Sequence, residues 1–588
     1  MRFGATVEDG GVRFRLWAPD AGEVVLHLAG RGDYPLDRDA EGWTEYFVPG
    51  AGAGDRYGFR VGGRVVPDPA SRHQPQGVHG LSEVVDPAGY DWRDANWRGR
   101  PWEEAVISEI HVGTFTREGT FRAAIARLKA LAEVGVTAIE LMPVAEFPGR
   151  RGWGYDGALA FAPHSSYGRP EDLKALVDAA HGLGLMVFLD VVYNHFGPEG
   201  NYLHLTARRF FTDRHHTPWG QAFNFDGADA RPVRDFFIDN ALYWLTEFHF
   251  DGLRLDAVQS IVDDSRPTIL EELATRVRAE ITERPVHLIL ENDANSAHLL
   301  ARDAAGRPRF YTAQWNDDIH HSLHRLLTGE TEGYYRDYAP DPLAHLGRCL
   351  VEGFAFQGEA SEHRRGERRG EPSSHLPPTA FVAFLQNHDQ IGNRAVGERI
   401  DGLASPSAVW ATTALLLLSP QPPLLFMGQE WGATSPFQYF CDVEPRLASS
   451  VRRGRRHEYP HFRGRIPDPV ANASFLRSRL DWRRRDGGEG AERVRRVAHL
   501  LDIRRRVLAP RLSGARADRA ERIGPGALRC RWILGDGAAL TVRANLCDQP
   551  LAGIVPETGT LLYAAGGDGR SLPAWGVDWH LDDRGKTE

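Results

Sequence analysis

Cysteine, methionine and lysine are all scarce in this 588-residue chain. It has four Cys and four Met, and among 70 basic residues only Lys129, Lys174 and Lys586 are lysine. Cys349, Cys441, Cys530 and Cys547 lie far apart with no CxxC spacing. That excludes a zinc ribbon or a disulfide framework and leaves buried free thiols as the expectation. No apolar run approaches the roughly 18 residues of a membrane-spanning helix. The first residues show no apolar segment followed by a small-residue cleavage site, so a cytoplasmic protein is expected. Positive charge is not in excess: the formal net charge is -9, which argues against nucleic acid as a partner. There is no GxxxxGK[ST] phosphate loop, no low-complexity tract and no solenoid period. Arginine spread through every segment reads as genomic composition. The stretch Arg446 to Arg465 and the doublets between Arg364 and Arg369 are expected to be solvated loops.

Hydrophobic residues make up 42% and charged residues 25%, ordinary for a globular protein, and the length calls for several domains. Through about residue 97 the chain alternates apolar and polar residues in short runs, Gly11–Leu16, Glu23–Leu28, Trp43–Val48 and Arg56–Val61, separated by Gly, Pro and Asp. This predicts an N-terminal antiparallel β-sandwich. From residue 98 to 510 short apolar runs alternate with helical stretches. Eight strand candidates, Ala105–Val112, Thr137–Met142, Met186–Val192, Gly252–Asp256, Val286–Glu291, Phe310–Trp315, Thr379–Leu385 and Pro423–Met427, predict a (β/α)8 barrel. Residues 511–588, with Ala527–Ile533 and Ala538–Val542, return to strands and predict a small all-β C-terminal domain. The fold class is therefore multidomain α/β, a TIM barrel flanked by two β-domains.

In such a barrel the reactive groups project from the C-terminal strand ends. Four apolar runs end abruptly in acids there: Asp190 followed by Asn194 and His195, Arg254 with Asp256, Glu291 with Asp293, and His388 with Asp389. One acid at a strand end is more often a helix cap. Four converging acids suit glycosidic cleavage, in which one carboxyl donates a proton and another attacks or stabilises an oxocarbenium-like centre.

These four segments, in this order, resemble the conserved regions of glycoside hydrolase family 13, the α-amylase superfamily, across the whole barrel. The resemblance implies a retaining enzyme acting on α-glucans, with Asp256 as nucleophile, Glu291 as general acid/base and Asp389 as the carboxylate that orients the distorted sugar. It also implies Arg254 beside the nucleophile, His195 and His388 as donors to sugar hydroxyls, and Tyr155 of Gly152-Trp153-Gly154-Tyr155-Asp156 as a stacking platform. Asp190 is expected to organise the site through hydrogen bonds. Asp156, Asn194 and Asp293 are expected either to brace loops or to touch sugar. No cofactor is implied, and the calcium-site signals of extracellular amylases are not evident, so no metal is expected.

Gly11-Val12-Arg13-Phe14-Arg15-Leu16-Trp17-Ala18-Pro19 resembles the start of the carbohydrate-binding-like sandwich that precedes the barrel in branching enzymes, isoamylases and trehalose-releasing hydrolases. The segments Leu290–Asn295, Gln314–His321 and Leu385–Arg394 resemble the last of these groups. Such a resemblance implies a maltooligosaccharide capped by trehalose as substrate, hydrolysed at the α-1,4 bond next to the cap. Asp317 or Asp318, beyond the sixth strand, is expected to contribute to the preference for the trehalose cap, although either could simply cap the following helix, and Arg394 is a further substrate-binding candidate. A branching or debranching enzyme of the same superfamily would use the same three acids. A non-catalytic glucan-binding relative is disfavoured by their joint presence.

Overall fold

Eight parallel strands close into a barrel in chain order in the computed structural model, which describes residues 2–460, 462–566 and 571–585. Residues 1, 567–570 and 586–588, assigned above to the terminal domains, and His461 of the arginine-rich stretch lie outside the described residues. The strands are β1 Ile107–Ile110, β2 Ala138–Leu141, β3 Met186–Val191, β4 Gly252–Leu255, β5 His287–Leu290, β6 Ala313–Trp315, β7 Phe381–Phe384 and β8 Pro423–Phe426. β8 pairs back onto β1, with Leu424 opposite Ile107. Each strand is buried along its whole length, so the sequence shows short, mainly apolar runs, although Ser108, Glu109, Glu140, Arg254 and Gln314 are polar residues buried within them. Met186, Phe188, Ile289, Phe384 and Leu424 are among the residues that fill the interior.

Helices cover the barrel and start where local chemistry dictates. Thr268 caps helix Ile269–Glu280 in a reciprocal box with Glu271. Helix Phe121–Val134 begins after Thr120, whose hydroxyl accepts from the Ala123 amide, and stops at left-handed Gly135.

The N-terminal residues form two antiparallel sheets, one of Gly4–Glu8, Gly11–Trp17 and Trp43–Pro49, the other built around Val24–Leu28 and Arg56–Val61. Phe14, Leu26, Tyr57 and Phe59 pack between them. Phe3, Trp17, Trp43 and Ala70 belong instead to the barrel's own core. Arg72 lies over the rings of Phe161 and Tyr243, 4.5 and 4.6 Å from their centroids, and donates to the Phe3 and Ala70 carbonyl oxygens. At the other end a five-stranded antiparallel sheet joins Arg516–Gly524, Ala527–Ile533, Ala539–Asn545, Gly576–Asp582 and Thr560–Ala565. Its Trp532 and Trp579 share a core with helices Pro342–Glu352 and Pro406–Leu418.

Two arginine expectations are corrected. The Arg446–Arg465 stretch contains the helix Pro445–His457, and its Arg455 is buried, donating to the carbonyl oxygens of Gly392 and Arg394. Arg369 of the second stretch is buried as well, and its partners occupy the site described next. The cysteines are free thiols, three buried and Cys547 half-buried. Among the described residues no helix is long and apolar enough to cross a membrane.

Candidate active site

The C-terminal ends of β3, β4 and β5 bring Asp190, Asp256 and Glu291 together around one guanidinium, and Asp389, after β7, lies near enough to raise both Asp256 and Glu291. Arg254 is fully buried within β4, its guanidinium carbon 4.1 Å from the centroid of the Trp315 ring. Nη1 donates to Asp190 Oδ2 at 2.5 Å and to Asp256 Oδ1 at 3.0 Å, and Nη2 donates to Glu291 Oε2 at 2.7 Å. Residues two apart on a strand share a face, so Arg254 and Asp256 both point into the site.

Asn194 donates its side-chain amide to Asp256 Oδ2 and to the Asp256 carbonyl oxygen. Ala257, next in the chain, takes the left-handed conformation that side-chain-bearing residues avoid, at φ 41°. This turns its N–H onto Glu291 Oε2 at 2.9 Å. Glu291 Oε2 thus accepts from two donors, and a proton on this carboxyl belongs on Oε1.

Burial pushes Glu291 up to about 8, with Arg254 opposing the rise and Asp256 and Asp389 adding to it. Burial also raises Asp256, while Arg254 and Asn194 pull it back. Both carboxyls face the guanidinium; Glu291, held at about 8, keeps its proton near neutrality, and Asp256 has the Asn194 amide as a further donor. Asp190 is raised to about 6 by burial, and its Oδ2 accepts from both Arg254 and the Tyr155 hydroxyl.

Tyr155 stands on the loop after β2. Gly154 before it has φ 104°, and a Cβ there would collide with the Pro143 carbonyl oxygen. Two residues beyond the motifs quoted above hold that loop: His111 at the end of β1 bonds the Gly152 carbonyl oxygen at 2.9 Å, and Gln438 accepts from the Trp153 indole. The Tyr155 ring stacks on His388 with centroids 5.1 Å apart. Asp389, a third exposed, accepts from Asn393 at 3.1 Å.

Several expected contacts turn inward. His195 and His388 were expected to donate to sugar hydroxyls. The ring nitrogens of His195 instead face Asn194 Oδ1 and the Tyr155 carbonyl oxygen, and burial lowers it to about 4. Its ring stacks under the exposed Trp219, at the tip of a hairpin, Phe211–Thr217 with Gly220–Phe223, that the sequence patterns did not suggest. The nitrogens of His388 face Glu109 and Asp389.

Asp318 is wholly buried and its oxygens are used inside the protein, by Arg369 and Tyr338 on Oδ1 and by Asn295 and the Ala355 and Phe356 amides on Oδ2. It is a brace, not a contact for substrate. Asp317, its neighbour on helix Asp317–Thr328, accepts from Gln390. Burial raises Asp317 well above the carboxylate range, and Glu291, Asp293 and Asp389 add to that, which places it beside the acids. Asp293 is ion-paired with Arg364 and Arg369. Arg394 forms two bonds with Glu330, at 2.9 and 3.0 Å. Asp156 is half-buried, and burial raises it.

A cavity of about 770 Å³ opens next to Asp389. Its wall includes Asn393, Gln390, Arg394, Glu330, Tyr334 and Tyr459. Apolar rings and fixed polar groups in one concavity of this size suit a sugar. Glu109 and Glu140, neighbours across β1 and β2, lie beneath the acids and were not anticipated. Both oxygens of Glu140 are buried without a partner, and burial, then Glu109 and Asp190, raise it well above the carboxylate range, which favours its protonated form.

A (β/α)8 barrel carrying converging carboxyls, one of them held protonated, defines a glycoside hydrolase of the α-amylase class. The α-amylase catalytic domain family matches residues 87–241, carbohydrate-binding module 48 (isoamylase N-terminal domain) matches residues 2–73, and a domain of unknown function, DUF3459, matches residues 515–579. The malto-oligosyltrehalose trehalohydrolase of Arthrobacter ramosus is 42% identical, with 97% of this chain and 98% of that protein covered. That of Saccharolobus solfataricus is 43% identical, with 83% and 84% covered. The chain belongs to the malto-oligosyltrehalose trehalohydrolase family. A solved putative α-amylase from Salmonella typhimurium superposes with a TM-score of 0.95 at 46% identity, covering 99% of both chains. A pullulanase from Anoxybacillus sp. LM18-11, at 18% identity and a TM-score of 0.70, shares the fold.

Proposed function

We propose that this chain hydrolyses the α-1,4-glucosidic bond next to the trehalose unit of maltooligosyltrehalose, releasing free trehalose, with net retention of configuration. The observation that carries the specificity is similarity along nearly the whole chain to proteins named malto-oligosyltrehalose trehalohydrolase. Water is the acceptor and no cofactor takes part.

Asp256 attacks the anomeric carbon while Glu291 Oε1 protonates the departing trehalose oxygen. Glu291, then ionised, takes a proton from the water that cleaves the glycosyl ester. Arg254 bonds both carboxyls, Nη1 to Asp256 and Nη2 to Glu291, and so keeps the nucleophile beside the acid; retention requires the two to be about 5–5.5 Å apart. Asp389 orients the distorted sugar from the opposite side. Trehalose occupies the cavity beside Asp389, with Asp317 and Arg394 on its wall side, and the rest of the α-glucan extends past Tyr155 and Trp219. The division at residues 97 and 510 and action in the cytoplasm belong to the same reading.

The test compares a trehalose-capped maltooligosaccharide with an uncapped chain of equal length, following trehalose by chromatography and the first-formed anomer by NMR. The capped chain is expected to be cleaved at least roughly tenfold more efficiently, about 1.4 kcal/mol in barrier, and the first glucan product to be the α-anomer. Equal rates would indicate a general α-glucan hydrolase. New α-1,6 branches without trehalose would indicate a branching enzyme.

A further inference from the structure

We propose that Glu109, inside the barrel on β1, is a positioning residue for the reaction, holding His388 so that its imidazolium faces Asp389. Its carboxylate is buried and does not reach the cleft. Oε2 accepts the His388 backbone N–H at 3.1 Å, and Oε1 is paired with the ring Nδ1. One carboxylate thus fixes both the main chain and the ring of the residue immediately before Asp389. Nε2 is left directed at Asp389 Oδ1, 3.4 Å away. The ring face carries Tyr155, whose hydroxyl reaches Asp190 and so the Arg254 bridge. The orientation of His388 is therefore communicated to both sides of the site.

A buried carboxylate here has a physical reason. The groups facing His388 are Glu109 and His111 from β1, Glu140 from β2, Asp190 from β3, Arg254 from β4 and Asp389 from its own segment. Burial favours the neutral form of Glu140, His111 is itself lowered to about 4 by burial and so adds no charge near neutrality, and Arg254 works against a second cation. Burial alone would strip the proton from His388. Asp389 and Glu109 overcome that and hold it up at about 9. Without Glu109 the ring would lose charge, Asp389 would lose its cationic neighbour, and the stack under Tyr155 would be free to turn.

The inference rests on the hydrolytic reading above. The wild-type protein is first shown to cleave maltooligosyltrehalose, and failure at that stage counts against the reading and leaves the Glu109 comparison to be made on whichever α-glucan is cleaved. The pH dependence of kcat is then measured for wild type, Glu109→Gln, His388→Asn and the double variant, each checked for folding by circular dichroism. Glu109→Gln is expected to bring the loss of the His388 charge down from about 9 by about one pH unit, so that it adds to the loss of the Glu291 proton at about 8: kcat falls by a further factor of about five at pH 9, with little change at pH 6. The displacement is expected to vanish in the His388→Asn background, where Glu109 has no ring to act through. Glu109→Asp, which keeps the charge but retracts it by one methylene, is expected to keep the alkaline limb and lose kcat at every pH, and it carries the test should the glutamine variant not fold. Superimposable profiles for Glu109→Gln and wild type, the same displacement with and without His388, or wild-type kcat in Glu109→Asp would overturn the proposal.

Discussion

The side-chain amide of Asn194 donates twice to Asp256, to Oδ2 at 2.8 Å and to the backbone carbonyl oxygen at 2.7 Å. Asn194 comes from the segment after β3 and Asp256 from the end of β4, so the pair fixes the carboxylate relative to two strands at once. A hydrogen bond to a charged group contributes about 1.5–3 kcal/mol. Asn194→Ala is therefore expected to lower kcat roughly tenfold to a hundredfold with the fold intact. Steady-state kinetics beside a melting curve checks this, and wild-type kcat would show that Arg254 alone suffices.

Asp256→Asn, Glu291→Gln and Asp389→Asn are each expected to reduce turnover by several orders of magnitude while leaving a folded protein. The losses should be far from additive, because the three groups act on one transition state. Near-native turnover in any folded single variant would remove that residue from the trio.

Glu291 must carry its proton to act as the acid. With Glu291 held at about 8, it is protonated below that pH and active, and kcat/KM should fall tenfold per unit as pH rises through and beyond about 8. Asp256 must be ionised, and because burial raises it, the acid limb should lie above the ordinary carboxylate range. A kcat/KM profile from pH 4 to 10 tests both signs. An alkaline limb near pH 5 would mean that Glu291 is not the titrating acid.

Asp317 and Asp318 adjoin in sequence and should behave oppositely. Asp318→Ala leaves Arg369 buried without its main carboxylate, a loss of about 3–5 kcal/mol, which should appear as a clear drop in Tm. Asp317→Ala should leave Tm nearly unchanged and lower the preference for the trehalose-capped substrate by about tenfold. Reversal of the two phenotypes would overturn the assignment of Asp317 to the cleft.

That pair also marks where sequence reasoning stops. Successive helix residues point about 100° apart, and no pattern says which of two neighbouring aspartates faces the cleft and which the interior. The barrel strands were legible because most lie in short, largely apolar runs that end in polar residues, and the acids at those ends stood out for the same reason. Glu109 was not legible, since an acid within Ala105–Val112 looks like ordinary strand alternation. Helix Ala230–Glu247 was missed for a different reason: it is buried around most of its circumference and so lacks a clear amphipathic stripe. The hairpin bearing Trp219 reads Phe211-Thr-Asp-Arg-His-His-Thr, too polar to signal a strand, and its importance lies in a stacking partner distant in sequence. Arg455 lay hidden in a run of charges, where its two carbonyl acceptors come from the loop after β7.

Phe3 packs on Trp43 of its own module and edge-on against Phe236 of the barrel helix Ala230–Glu247, with centroids 4.8 and 5.2 Å away. Together with Arg72 between Phe161 and Tyr243, this makes the amino-terminal module a tenant of the barrel's interior rather than a bead on a string. A lineage could not exchange it for another sugar-binding unit without also redesigning the wall it leans on. Mutations that loosen the module should therefore be felt as heat sensitivity of the enzyme, whether or not the module ever touches a glucan.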